Sequence, residues 1–193
     1  MNPTKNEFGS LKKHIDSFIQ IDDEEFENVL TYFTVRKLRK NQILINAGDK
    51  VRHTYWASKG LLMSTFTDKN GKQHVIQFAI EHCWITDQNA FYNKEPAILD
   101  ISCLEDTELL SLSYENREQL CADIPAMNTF FRRKANDSFT KQQKRLLTYL
   151  TSDSQERFEA LIAELPQLMQ RLPKKILAAY LGVSRETLSR FKK

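Results

Sequence analysis

The side chains with the clearest chemical potential lie in the last twelve residues, GVSRETLSRFKK. Arg185 and Arg190 can each pair bidentately with O6 and N7 of guanine, and Glu186 can accept a hydrogen bond from N4 of cytosine. Ser184 and Ser189 add hydroxyl groups that can bond to either kind of base edge. Because these residues lie close together at one end of a predicted helix, the stretch indicates a surface that reads base edges in a DNA groove.

The charge around this stretch favours a polyanionic partner. Residues 166–193 contain seven basic residues and one acid, a net charge of +6, whereas the whole chain carries +3, so the remaining 165 residues sum to −3. A mildly acidic body with a basic end is typical of proteins whose end contacts nucleic acid, although basic tails also serve solubility. Predicted phosphate contacts come from Lys174, Lys175, Thr187, Lys192 and Lys193.

Two short helices joined by a tight turn are predicted to position these side chains. Gly182 can adopt the left-handed conformation that such a turn needs, and Ala178 is small enough for the point where two helices cross. Ser184 is the predicted N-cap of the second helix. The apolar residues that would seal a small shared core are Leu177, Leu181, Val183, Leu188 and Phe191.

A long helix is predicted before this region, because Ala126 to about Leu150 contains neither Gly nor Pro. A stripe of apolar residues needs a packing partner, which is either another part of the chain or a symmetry-related copy of the same helix. We favour the second copy and expect residues 125–151 to form a dimerisation helix. The stripe consists of Met127, Phe131, Ala135, Phe139, Leu146 and Tyr149.

Short strands are predicted between Val35 and Tyr114, after helices in the first thirty residues. The runs ILINAGD, HTYWASKGLLMSTF, QHVIQFAI and AILDISCLEDTELLSLSY are β-rich, and Asn70-Gly71 is a strong hairpin signal. Strands at this spacing indicate an antiparallel sandwich or jelly roll. A short helix capped by Ser113 should follow, with Pro125 opening the long helix. The prediction is an α+β protein with domains 1–124, 125–151 and 152–193.

Composition places the chain among globular proteins, with 41% hydrophobic and 27% charged residues. No apolar run approaches the ~20 residues of a transmembrane helix, and the N-terminus lacks the apolar core of a signal peptide. Cys83, Cys103 and Cys121 are odd in number and widely spaced. We therefore expect reduced thiols and a cytoplasmic protein without membrane association.

Enzyme and metal chemistry find no support in the motifs. No His-x-His pair with a carboxylate accompanies His14, His53, His74 or His82, and the three cysteines do not form an iron–sulfur ligand group. Glycine-rich phosphate loops and nucleophile elbows are also missing from the sequence. The expectation is a protein without metal, cofactor or enzymatic activity.

The order of these parts resembles the Crp/Fnr family of bacterial transcription regulators. The resemblance runs from about Val35 to the end and is most specific in GVSRETLSR, while AGD, Lys59-Gly60 and DKNGKQ fit the family's early strands. It implies an N-terminal cyclic-nucleotide-binding-type antiparallel β-roll, a long dimerisation helix and a C-terminal winged helix-turn-helix. It also implies that Arg185, Glu186 and Arg190 read bases.

The sequence departs from the family pattern in two places. Where cyclic-nucleotide binders of the family hold the phosphate with Gly-Glu-Leu and a later Arg-Ser/Thr pair, this chain has Thr86-Asp87-Gln88 and Ala97-Ile98. An acid without an arginine is a poor phosphodiester site, so cyclic AMP and cyclic GMP are not expected. The chain also ends two residues after Phe191, so the wing is expected to be missing. Candidate pocket residues for another effector are Asp87, Gln88, Ile98, Gln142 and Gln143.

Together these patterns predict a homodimeric, sequence-specific regulator of the Crp/Fnr type that binds double-stranded DNA. A small-molecule effector and RNA polymerase are further candidate partners. Two alternatives stay open: a cyclic-nucleotide-responsive regulator of the same fold, and a β-roll that binds a small molecule or another protein without contacting DNA.

Overall fold

The computed structural model describes residues 9–191. The chain divides into two compact units, residues 1–134 and 135–193. The boundary falls inside one continuous helix, Ala126–Thr151, so the backbone passes from the first unit to the second without a loop.

The described part of the first unit begins with two short helices, α1 (Gly9–Asp16) and α2 (Asp23–Leu30). Asp22 caps α2 by accepting a hydrogen bond from the Glu25 backbone, and the Glu25 side chain bonds back to the Asp22 N–H. This reciprocal capping box satisfies two backbone donors at the helix start. Both helices lie within the first thirty residues, where the sequence predicted helices.

Eight strands follow and form two antiparallel four-stranded sheets, as the strand pattern predicted. The first sheet has the order β1-β8-β3-β6 and the second β2-β7-β4-β5. The strands are β1 (Phe33–Leu38), β2 (Ile43–Ile45), β3 (His53–Lys59), β4 (Leu62–Thr67), β5 (Gln73–Ala79), β6 (Trp84–Ile85), β7 (Asp100–Cys103) and β8 (Thr107–Ser113).

Two glycines shape the turns between these strands. Gly71, with φ of 78°, closes the β4–β5 hairpin at the predicted Asn70-Gly71 signal. Gly60, with φ of 100°, divides the run HTYWASKGLLMSTF into β3 and β4. A Cβ at position 60 would lie 2.5 Å from Thr107 Oγ1 and 2.7 Å from the Asp106 carbonyl oxygen, so only glycine fits there.

The first unit has two apolar cores, one on each face of the first sheet. Tyr55 and Trp56 are neighbours on β3 and point to opposite faces, since side chains alternate along a strand. Tyr55 lies in the core between the sheets with Leu62 and Ile101. Trp56 lies in the core that the helices cover, together with Leu11, Phe26, Phe33, Phe130 and Met127.

Three helices complete the first unit and lead into the second. They are α3 (Gln88–Asn93), α4 (Tyr114–Asp123) and α5 (Ala126–Thr151). Ser113 caps α4 by accepting from the Asn116 N–H, and α5 begins directly after Pro125, both as predicted. Helix α3 was not predicted.

The second unit contains residues 135–151 of α5 and four further helices. Asp153 caps the first of them with a second capping box that includes Glu156. The helices are α6 (Ser154–Glu164), α7 (Leu168–Arg171), α8 (Lys174–Leu181) and α9 (Arg185–Arg190).

No helix in the described part of the chain is long and apolar enough to cross a membrane. Across residues 9–191, no three His, Cys, Asp or Glu side chains are grouped so that they could hold a metal ion. Cys83, Cys103 and Cys121 form no disulfide within residues 9–191, and burial raises the pKa of both Cys103 and Cys121.

Candidate functional site

The predicted helix pair is formed by α8 and α9, joined by the turn at Gly182. Gly182 ends α8 with φ of 71° in the left-handed region, and the Val183 N–H donates to the Ala178 carbonyl. Ser184 then caps α9 by accepting from the Thr187 N–H at 3.1 Å. The turn, the cap and the small residue therefore lie where the sequence predicted them.

A small apolar core holds the two helices together. Ala178 is 3% exposed and Leu188 is fully buried, and the rings of Phe158 on α6 and Phe191 are 5.7 Å apart. Leu177 and Leu181 are also buried, whereas Val183 and Phe191 are partly buried. Because the apolar side chains point into this core, the polar face of α9 is exposed to solvent.

The residues predicted to read bases lie on that exposed face. Arg185, Glu186, Ser189 and Arg190 are exposed, as is Ser184, while Thr187 is partly buried with its hydroxyl 3.2 Å from the Ser184 hydroxyl. Lys192 and Lys193 lie outside the described residues. Two arginines, one carboxylate and one serine hydroxyl are thus exposed along a single short helix. Together they offer both hydrogen-bond donors and hydrogen-bond acceptors to a partner.

Glu186 keeps its charge in this setting. Its own backbone N–H, and then the Ser184 hydroxyl, donate to the carboxylate and lower its pKa from the usual range. Arg185 and Arg190 lower it further. At neutral pH the side chain is therefore an acceptor only, which suits an exocyclic amino group rather than a phosphate.

Lys174 and Lys175 begin α8, and both are exposed. Cations in the first turn of a helix oppose the helix macrodipole, so these lysines do not stabilise α8. Neither forms an ion pair with any described residue. Their ammonium groups are therefore available to an anion outside the chain.

Arg157 positions the helix pair, and sequence reasoning missed it. Its guanidinium donates from Nη1 to the Ser152 carbonyl at 2.9 Å and from Nη2 to the Leu181 carbonyl at 3.3 Å. It thereby ties the start of α6 to the last carbonyl of α8, next to Gly182. No sequence signal distinguishes this arginine from a solvated one, because its partners are backbone atoms.

The residues predicted for the dimer helix fall into two groups. Met127 and Phe131 are 0% and 6% exposed and lie in the helix-side core of the first unit, so these two do not offer a free surface. In the second unit Phe139, Leu146 and Tyr149 are 72%, 57% and 65% exposed. Ala135 is exposed as well.

The segment predicted to contain the effector pocket is organised around Asp87. This carboxylate is 1% exposed; it caps α3 by accepting from the Ala90 N–H and also accepts from the N–H groups of Ile98 and Leu99 at 2.8 and 3.1 Å. The amides that follow Ala97 are thus already bonded to an anion. Asp87 has a structural role here that local hydrogen bonds explain fully.

The other four pocket residues are not gathered around Asp87. Gln88 is exposed and Ile98 is 53% exposed, so both face solvent on the first unit. Gln142 and Gln143 are exposed on the part of α5 that belongs to the second unit.

Comparison with known proteins identifies the fold of the first unit. The sequence model of the cyclic nucleotide-binding domain family matches residues 35–123. This segment contains all eight strands except the first two residues of β1, together with α3 and α4. This part of the first unit is therefore similar to a cyclic nucleotide-binding domain. No curated protein sequence matches the chain.

Solved structures resemble the chain over most of its length. The catabolite activator protein of Thermus thermophilus is 23% identical, with a TM-score of 0.60, and 90% of this chain covers 83% of that one. The c-di-GMP responsive global regulator of Xanthomonas campestris is 16% identical with a TM-score of 0.67, covering 88% and 89%. A cyclic nucleotide-binding domain from Methylobacillus flagellatus is 15% identical with a TM-score of 0.66, covering 76% and 86%.

Proposed function

We propose that the protein is a sequence-specific DNA-binding transcription regulator of the Crp/Fnr type, with α9 as its recognition helix. The observation that carries the proposal is the exposed array of Arg185, Glu186, Ser189 and Arg190 on a helix whose other face is fixed by the turn at Gly182. A helix of this kind enters the major groove with the residues of its N-terminal part against base edges. The regulators among the structural neighbours support the same assignment.

Base reading and phosphate contact are divided between the two helices. Arg185 and Arg190 suit guanine and Glu186 suits cytosine, so a G·C-containing half-site is expected. Lys174 and Lys175, with Thr187 and the terminal lysines, contact phosphates and fix the register. The resemblance to Crp/Fnr regulators extends the proposal to RNA polymerase as a partner on the promoter.

The protein acts as a homodimer in this proposal, through the second-unit part of α5. Phe139, Leu146 and Leu150 follow one another at spacings of seven and four residues and are 72%, 57% and 68% exposed. Residues at such spacings share one face of a helix, so together they form an apolar stripe. A second copy of the stripe would bury it and place two recognition helices on a palindromic site.

The effector in this proposal is not a cyclic nucleotide. In a cyclic-nucleotide site, backbone amides and an arginine face the phosphodiester. Here the Asp87 carboxylate, which is almost completely buried, accepts hydrogen bonds from the backbone N–H groups of Ile98 and Leu99. A second anion at the same place would be repelled and would have no paired arginine.

A cyclic-nucleotide-responsive regulator is the second candidate. It is favoured by the family match over residues 35–123, since that family is named for cyclic nucleotide binding. The two candidates share DNA binding and differ only in what the first unit recognises.

Selection from a randomised duplex library tests the DNA-binding proposal, with wild type and Arg185→Ala compared side by side. We expect a palindromic motif for the wild type that degenerates at one position per half-site in the variant. Loss of one bidentate guanine contact costs about 1–3 kcal/mol of specific binding.

Arg132→Ala is the matched control, because Arg132 is an exposed arginine on the first-unit part of α5 that forms no ion pair with residues 9–191. It should return the wild-type motif. If the wild type enriches no motif, with or without cell extract to supply an effector, the proposal is wrong and a β-roll interaction module replaces it.

A further inference from the structure

The second unit contains a cavity that the DNA-binding proposal does not use. It has a volume of about 340 Å³ and lies between α5, α6 and α8. Its floor is apolar and includes Leu161 and Leu181, both buried. Its size is at the lower end of the range for small-molecule sites, about 300–1,000 Å³.

The rim of the cavity is strongly cationic. Lys141, Lys144, Arg145 and Arg157 line it, against the single acid Glu164. Lys141 is paired with Asp137 at 2.8 Å, but Lys144 and Arg145 have no ion-pair partner in the described part of the chain. The lining therefore carries an excess of positive charge, which Glu164 and the Asp137 partner of Lys141 neutralise only in part.

Two tyrosine rings hold the guanidinium groups in place. The Arg145 guanidinium lies 4.9 Å from the centre of the Tyr180 ring, and that of Arg157 lies 5.4 Å from the centre of the Tyr149 ring. Burial raises the pKa of Tyr180, so this ring stays neutral to a higher pH than an exposed tyrosine does. Cations stacked on rings are oriented before any ligand arrives.

Arg157 adds an unpaired donor to this arrangement. Its two terminal nitrogens are bonded to the Ser152 and Leu181 carbonyls, while its Nε–H is buried without an acceptor in the structure. A buried donor left without a partner costs free energy, and an acceptor atom that reached it would offset that cost.

The cavity and the proposed dimer stripe lie on opposite faces of α5. Lys141, Lys144, Arg145 and Thr148 have the spacing i, i+3, i+4, i+7 of a single helix face. At 3.6 residues per turn this face lies roughly half a turn around the axis from Leu146 and Leu150. A second copy packed on the stripe would therefore leave the cavity open.

We propose that this cavity is a binding site for a small organic anion, a carboxylate or phosphate monoester with an apolar or aromatic body. The anionic group pairs with Lys144 and Arg145, and the body lies on the floor formed by Leu161 and Leu181. An inorganic anion has no apolar part to contact the floor, and a neutral aromatic molecule has no charge to pair with the cationic rim. Neither class therefore fits both the rim and the floor.

The position of the site suggests how it would act on DNA binding. A ligand there touches α5, which carries the dimer stripe, and α8, which ends at the turn before α9. Binding would restrict the angle between these helices and so shift the population of DNA-competent dimers. This last step rests on the proposed function, whereas ligand binding itself does not.

The test is a titration of the full chain with 1-naphthoate, followed by ¹H–¹⁵N NMR. We expect saturable shifts confined to amides of α5, α6 and α8 around the cavity. Phosphate and 1-naphthamide, the neutral amide of the same ring system, serve as matched ligands and should give no saturable shifts there. If naphthoate does not saturate in the millimolar range, or if naphthamide binds equally well, the proposal is wrong.

Variants locate the site. Lys144→Gln/Arg145→Gln should weaken naphthoate binding about tenfold, since two charge-assisted contacts are lost. Lys40→Gln/Arg132→Gln removes the same charge from exposed positions outside the cavity and should bind like the wild type. Equal weakening in both pairs would mean that only net charge matters and would overturn the proposal.

DNA binding is measured separately on the same samples. Naphthoate binding without any duplex motif would retain the anion site and refute the DNA-binding function. A duplex motif without naphthoate binding would retain the DNA-binding function and refute the anion site. Duplex DNA that shifts the Lys144 and Arg145 amides while naphthoate does not would show that these cations serve the phosphate backbone, and would also overturn the proposed site.

Discussion

Lys134, the last residue of the first unit, shows how one side chain couples the fold to pH. Its ammonium lies 4.4 Å from the centre of the Trp84 ring. Burial, and then the nearby Arg117 guanidinium, lower its pKa from 10.5 to about 8. The protein holds this lysine in a place where its charge is unfavourable, and the aromatic ring offsets that cost only in part.

Lys134 should make the free energy of unfolding rise between pH 8 and pH 10.5. The folded-state pKa is the lower one, so within this window the unfolded chain binds more protons than the folded chain, and stability increases as pH increases. Below pH 8 the penalty is fully present. Lys134→Met removes the charge, and its advantage over the wild type should be on the order of 1–3 kcal/mol at pH 7 and fade by pH 10.5.

Urea unfolding at a series of pH values measures this difference. Buried Tyr55, Cys103 and Cys121 titrate in the opposite sense, but they do so in both proteins and cancel in the comparison. Lys40→Met, at an exposed site, should run parallel to the wild type. A constant difference between Lys134→Met and wild type across the window would contradict the assignment.

Among the elements, α5 serves both units, and its two ends differ. Met127 and Phe131 at its start lie in the core of the first unit, whereas Phe139, Leu146 and Leu150 are exposed. Removing these three large apolar side chains from water would be worth several kcal/mol. This exposed apolar stripe is the basis for proposing an interface on α5.

Leu146→Glu should therefore dissociate the proposed homodimer. A carboxylate in the middle of the stripe would face its own copy across the twofold axis, in an apolar setting that disfavours both charges. Sedimentation velocity at a fixed concentration should change from a dimer to a monomer.

Ser138→Glu is the control for charge and helix propensity. Ser138 is exposed next to Phe139 but points to a different face of α5, so the variant should remain dimeric. A wild type that sediments as a monomer at working concentration, or a Leu146→Glu variant that stays dimeric, would show that the stripe is not the interface.

At the scale of the whole molecule, the two units divide sensing from DNA contact in the proposed function. Isothermal titration of the full chain with cyclic AMP and cyclic GMP should give no saturable heat, because Asp87 already bonds the amides near Ala97. Saturable heat at one ligand per chain would instead establish the cyclic-nucleotide-responsive alternative.

The parts of this architecture that the sequence predicted are those set by local chemistry. The left-handed Gly182, the Ser184 and Ser113 caps and the Asn70-Gly71 hairpin each depend on one residue type at one backbone position, so they are readable without tertiary information. The two sheets followed from strand spacing alone.

The parts that escaped prediction depend on tertiary contacts. Helix α3 exists because Asp87 caps it while bonding a distant stretch of chain, and Gly60 breaks a β-rich run because β8 approaches too closely for a Cβ. The stripe on α5 could not reveal that Met127 belongs to an internal core, since helical spacing identifies a buried face but not what covers it. The positioning role of Arg157 could not be predicted from the sequence, because its hydrogen-bond partners are backbone carbonyl groups.

The position of the Asp87 carboxylate affects which anions could bind near Ile98 and Leu99. This carboxylate is covalently attached to the segment whose amides it bonds, so it competes with any diffusing anion as an intramolecular group, and its effective concentration does not fall with dilution. A diffusing anion would have to bind these amides more favourably than the attached Asp87 carboxylate does in order to displace it. The amides of Ile98 and Leu99 are thus held by an acceptor of the same chain, so in the proposed function an effector acts at another site.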